Sequence, residues 1–94
     1  MIKYNSIKIE FLMINIDISL YYHLRQKAGV GTISLSVPAG ITIKEVKQIL
    51  EEKYPALITH LDNVMILMGK KIVLDEDTLL QNTKIAFLTP IGGG

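Results

Sequence analysis

Ninety-four residues make one small domain, and folding at this size removes only about 60–65% of the unfolded surface from water. At 49% hydrophobic the chain is too apolar to be disordered over most of its length, so it either packs very efficiently or leaves an apolar face for a partner. A net charge of +1, with acids and bases interspersed, lacks the electrostatic footprint of a nucleic-acid binder, and the absence of cysteine removes disulfides, thiolate metal sites and a cysteine nucleophile.

The first third reads as extended chain. Ile14, Ile16, Ile18 and Leu20 alternate with Asn15, Asp17 and Ser19, the period-2 pattern of a half-buried strand. Upstream, Ile7, Ile9 and Phe11 alternate with Lys8 and Glu10 in the opposite phase. The phase slips across Leu12-Met13, which predicts either a bulge or two separate elements. Tyr21–Ala28 is mixed in polarity and predicts a short helical turn closed by Gly29 and Gly31. Thr32–Val37 alternates cleanly and ends at Pro38, a second strand.

One helix is well marked. Thr42 and Glu45 stand at capping-box spacing, where hydroxyl and carboxylate satisfy amides that the first turn leaves unpaired. Ile41 and Val46 are placed as a hydrophobic staple. Val46, Ile49, Leu50 and Lys53/Tyr54 form the apolar stripe, with Lys44, Lys47, Glu51 and Glu52 turned outward. Pro55 ends the helix because it drives its predecessor out of the helical region. Ala56–Leu61 predicts one further irregular turn. Val64–Met68 and Lys71–Leu74 then flank Gly69-Lys70, a glycine-first hairpin signal. Asp75-Glu76-Asp77 reads as a solvated turn, and Thr78-Leu79-Leu80 leads through Gln81-Asn82-Thr83 into a last strand, Lys84 to Ile91.

The chain ends on Gly92-Gly93-Gly94. Glycine adds no packing and loses the most backbone entropy on ordering. Such an ending makes sense if a carboxylate on a thin stalk must be inserted somewhere narrow. Pro90 to Gly94, fully extended, reaches roughly 17 Å.

Strand pair, crossing helix, strand pair and a terminal strand running into glycines is the layout of an α+β fold, the β-grasp or ubiquitin-like fold. The ending Ile85-Ala86-Phe87-Leu88-Thr89-Pro90-Ile91-Gly92-Gly93-Gly94 resembles that of the MoaD/ThiS sulfur-carrier family. Leu20–Gly29 resembles the MoaD first strand and its short helical connection, which places the likeness nearer MoaD than ThiS. The resemblance covers about residues 13–94 and implies a mixed sheet of four to five strands packed on one main helix. Residues 1–12 are then an N-terminal extended extension or an over-long start, 13–89 the β-grasp domain, and 90–94 a flexible glycine tail. One departure is Gln81-Asn82-Thr83, where the family usually carries an acidic Gly-Asp turn.

The resemblance also implies a chemistry. An α-carboxylate is ionised at neutral pH and a poor electrophile. An ATP-dependent adenylating enzyme of the MoeB/ThiF type activates it as an acyl-adenylate on Gly94, and persulfide sulfur converts this to a thiocarboxylate. Gly92 and Gly93 pass through a channel too narrow for a Cβ, so Gly94 is a reacting group while the carrier itself is no catalyst. In the MoaD case the tail enters the large, MoaE-like subunit of molybdopterin synthase and supplies sulfur in molybdenum cofactor biosynthesis. Partner contact is expected from Pro90, Ile91, one of Phe87 and Leu88, and Tyr21, which falls where MoaD carries a partner-facing aromatic.

The residues outside the tail offer no competing chemistry. Gly29-Val30-Gly31 is too short for a nucleotide loop, and His23 and His60 stand far apart in sequence without a ligand-spaced partner. No stably bound cofactor or metal is expected; ATP belongs to the activating partner. No run approaches the roughly 20 apolar residues of a membrane helix, no basic-then-apolar leader opens the chain, and a cytoplasmic location is expected. Two rival readings remain. The same tail chemistry could serve tRNA thiolation, thiazole synthesis or conjugation to protein lysines. Alternatively, the domain is a non-carrier interaction module whose residues 1–12 add an edge strand for self-association.

Overall fold

The computed structural model describes residues 12–89. The upstream run with its phase slip and the tail from Pro90 to Gly94 lie outside the described residues. Strand β1 (Met13–Leu20) leads into helix α1 (Tyr22–Ala28), β2 (Thr32–Pro38), the short β3 (Ile41–Thr42) and helix α2 (Ile43–Lys53). A 3-10 turn (Pro55–Leu57) follows, then β4 (Met65–Met68), β5 (Lys71–Val73), the short β6 (Thr78–Leu79) and β7 (Thr83–Leu88).

Five strands form one mixed sheet in the order β2-β1-β7-β4-β5, with β1 and β7 parallel and the other pairs antiparallel. The terminal strand β7 is therefore central, laddered on both sides. Register puts the buried residues of all five strands on one face: Ile18 lies beside Ile33 and Ile85, and Phe87 beside Leu20 and Ile66. Helix α2 closes this face with Ile43, Val46 and Leu50, all fully buried. No polar or charged side chain is buried among the described residues. This is a β-grasp domain.

Helix α2 starts where the sequence predicts. The Glu45 N–H donates to Thr42 Oγ1 (3.1 Å), and the Thr42 N–H donates to Glu45 Oε1 (3.0 Å). The Thr42 N–H and the Thr42 hydroxyl both donate to Glu45 Oε1 and hold that carboxyl below its ordinary pKa, the backbone N–H being the larger cause and the hydroxyl the smaller. Asp75-Glu76-Asp77 proves more than a solvated turn. The Ile43 and Lys44 amides donate to the carbonyls of Asp77 and Asp75, satisfying two more first-turn groups. Lys47, expected outward, instead lies along the surface with its Nζ 2.7 Å from Asp75 Oδ1.

Other junctions follow local chemistry. Gly29 caps α1 at φ 79°, its N–H donating to the Arg25 carbonyl at 2.9 Å. Gly69 opens the β4–β5 hairpin at φ 66°. The two-residue ladder between β3 and β6 was not expected; segments this short carry no periodicity to read. Asn82, at the departure from the family's acidic turn, accepts from the Asn15 N–H through Oδ1 at 2.8 Å. A neutral side-chain acceptor ties the start of β7 to the start of β1.

Candidate functional site

The site is built around the end of β7. Phe87 is fully buried and touches the core from the helix-facing side of the sheet. The expectation of a partner contact at Phe87 is thus corrected: alternation along β7 sends its ring inward and leaves Leu88, partly exposed on the opposite face, as the outward member of the pair. Tyr21 follows β1 and donates its N–H to the Phe87 carbonyl at 3.3 Å, which extends the parallel ladder by one step. Its side chain is 42% exposed, so the ring stands open beside the point where the tail leaves. Pro90, Ile91 and Gly92–Gly94 lie outside the described residues.

The outer sheet face divides in two. Over β1 and β2 it is polar at Asn15, Asp17, Ser19, Ser34 and Ser36, with the Ser34 hydroxyl donating to Asp17 at 2.8 Å, and apolar at Met13 opposite Pro38 at its far end. Over β7, β4 and β5 it is apolar. Leu88 pairs with Met65, Ala86 with Leu67, and Leu67 with Ile72, so five aliphatic or thioether side chains form one patch reaching the tail root. Met65 and Ile72 are each about half exposed (49% and 55%), far more than strand residues packed in a core. Met65, Leu67, Ile72 and Ala86 were not singled out from sequence. The signal was present: Met65-Ile66-Leu67-Met68 is apolar at every position, whereas a strand with one solvated face alternates.

The histidines also behave otherwise than their spacing suggests. His23 on α1 and His60 in the turn after the 3-10 helix meet edge to face, ring centroids 5.2 Å apart. Among the described residues no group of three or more His, Asp or Glu side chains could hold a metal ion. The shallow grooves along α2, walled by Glu45, Gln48, Ile49 and Glu52, hold no nucleophile–base pair. No helix of the described residues is long and apolar enough to cross a membrane.

A β-grasp domain whose central strand runs out into glycines, beside an exposed apolar patch, defines the ubiquitin-like carrier class. Comparison with known proteins agrees. The model of the ThiS family matches residues 18–94, through to the last glycine, and the chain belongs to that family, as a ubiquitin-like carrier of the MoaD/ThiS type. No curated protein is significantly similar to the chain by sequence. Among solved structures, the small archaeal modifier protein 1 of Haloferax volcanii superposes with a TM-score of 0.75 at 19% identity, covering 85% of this chain and 99% of that one. Its counterpart from Methanosarcina acetivorans gives 0.74 at 24% identity, with 88% and 99% covered. A complex of subunits 1 and 2 of the molybdopterin-converting factor from Helicobacter pylori 26695 contains a chain matching at 0.61 and 20% identity, with 86% and 100% covered. At these identities the structural likeness speaks for the fold.

Proposed function

We propose that this protein is a sulfur carrier whose Gly94 carboxylate is adenylylated and converted to a thiocarboxylate that donates sulfur in molybdopterin biosynthesis. The observation that carries the reading is the position of β7. The strand that ends in the glycines is laddered on both sides and anchored by Phe87 in the core, so the tail root is a fixed point on a rigid body. A fixed root lets a partner that grips the adjoining patch receive the carboxylate at a set distance.

The chemistry asks little of the carrier. A Gly94 carboxylate oxygen attacks the α-phosphorus of ATP on the adenylating enzyme, and pyrophosphate leaves. A persulfide sulfur on a donor attacks the acyl carbon, AMP leaves, and a donor thiol cleaves the resulting acyl disulfide to free the thiocarboxylate. The domain contributes the reacting terminus, the glycine stalk and the docking patch of Leu88, Met65, Leu67, Ile72 and Ala86. A cytoplasmic, MoeB/ThiF-like adenylating enzyme and a MoaE-like large subunit are the partners of this reading. The partnered chain in the Helicobacter pylori complex supports the latter.

A second reading has an observation in its favour. The small archaeal modifier proteins share the fold closely, which supports the use of the same acyl-adenylate for attachment to protein lysines. One experiment separates the two. The thiocarboxylated protein is mixed with a purified molybdopterin synthase large subunit and the sulfur-free pterin precursor. Formation of the dithiolene supports the first reading. Its absence, together with lysine-linked conjugates in source-cell lysate, supports the second and refutes the first.

A further inference from the structure

We propose that residues 1–11 fold back along helix α2 and fill the acidic groove on its flank, as a strap within the same chain. The root of that segment is fixed at the rim of the groove. The Ala39 N–H donates to the Leu12 carbonyl at 3.0 Å, and Ala39 and Ile41 line the groove together with Glu45, Ile49 and Glu52. A straight continuation of β1 has no ladder to join: β2 ends at Pro38, opposite Met13, and β7 begins at Thr83, opposite Ile16. Such a course would leave Ile7, Ile9 and Phe11, apolar at every second position, in water. The slip of alternation across Leu12-Met13 marks the place where the chain changes direction.

Charge and length select the groove. Among the described residues its walls carry Glu45, Glu51 and Glu52 and no lysine or arginine. Residues 1–11 carry Lys3 and Lys8 against one acid, Glu10, so the two surfaces are complementary. The other surface beside Leu12, the outer face of β1 and β2, is polar beyond Met13 and Pro38 and gives apolar side chains no cover. Four extended residues from Leu12 back to Lys8 span roughly 13 Å, and Glu45 to Glu52 spans about 10 Å along α2. Lys8 therefore comes level with the carboxylates, while Ile7, Ile9 and Phe11 face Ile49. The groove continues past Glu51 and Pro55 to Ile58, an apolar side chain left 52% exposed and within reach of the remaining residues. A strap on the helix side of the sheet leaves the patch of Met65, Ile72 and Leu88 on the other side open.

The test uses the full chain, whose lack of cysteine means that only introduced thiols can pair. Lys8→Cys is combined either with Gln48→Cys, in the groove, or with Ser36→Cys, on the outer face of β2 two residues from Pro38. Disulfide formation at micromolar protein is followed by intact mass after thiol blocking. The groove pair is expected to close within one chain about tenfold or more faster than the outer-face pair. Equal rates, or a faster outer-face pair, overturn the inference. Disulfides between chains overturn it too, and assign the segment to a second copy. A measurement on the wild-type chain needs no substitution: the Phe11 ring is expected to show nuclear Overhauser contacts to methyl groups of Ile49 or Ile58. Their absence overturns the inference as well. Neither result bears on the carrier reading, which stands or falls on the tail.

Discussion

Phe87 and Leu88 are chemically alike, adjacent, and opposite in role. The pleat of β7 alone decides that one ring closes the core and the neighbouring side chain joins an exposed patch. Phe87→Ala is expected to destabilise the domain by about 3–5 kcal/mol, measured by urea denaturation, because a fully buried ring leaves a cavity. Leu88→Asp should leave the denaturation midpoint near wild type and weaken binding to the adenylating enzyme by about tenfold or more, read by titration calorimetry. If Leu88→Asp binds as wild type does, the patch is not the docking face. Alternation told that one of the two residues faces out, but the phase of β7 against its neighbours comes from tertiary register. The meeting of His23 and His60 was equally hidden, since nothing local in sequence joins α1 to the turn 37 residues on.

Helix α2 was the most legible element, because its start is encoded locally by Thr42, Glu45 and Ile41. Thr42→Ala should lower stability by about 0.5–2 kcal/mol in thermal or denaturant unfolding. The same box gives a pH dependence. Glu45 titrates lower in the folded than in the unfolded state, so its contribution is fully present above the unfolded value, near pH 4.3. It is lost as pH falls through the depressed folded value. Glu45→Gln should flatten the acid limb of the midpoint-against-pH curve below about pH 4.3, with neutral-pH melting changed far less than by Thr42→Ala. An unchanged acid limb contradicts that assignment. The hairpin at Gly69-Lys70 was legible for the same local reason. The β3–β6 ladder and the capping carbonyls of Asp75 and Asp77 were not, because they depend on where distant segments settle.

At the scale of the molecule the sheet is a slab with unlike faces. One face is closed by α2 and α1 over a core without a buried polar group. The other is open, and half of it is apolar up to the point where the tail begins. The high apolar content of so short a chain is divided between these two uses, an outcome composition allowed without assigning residues to either. The layout and the glycine ending were enough to suggest the family, and the ThiS-family match over residues 18–94 bears that out. The most direct test of the carrier reading is intact mass after incubation with ATP, a persulfide donor and the adenylating enzyme of the source cell. A gain of roughly 16 Da, the exchange of one oxygen for sulfur, is expected for the full chain, with no gain when Gly94 is deleted and no change in that variant's melting. A full chain that forms no adenylate, thiocarboxylate or conjugate with any adenylating enzyme of that cell would contradict the account.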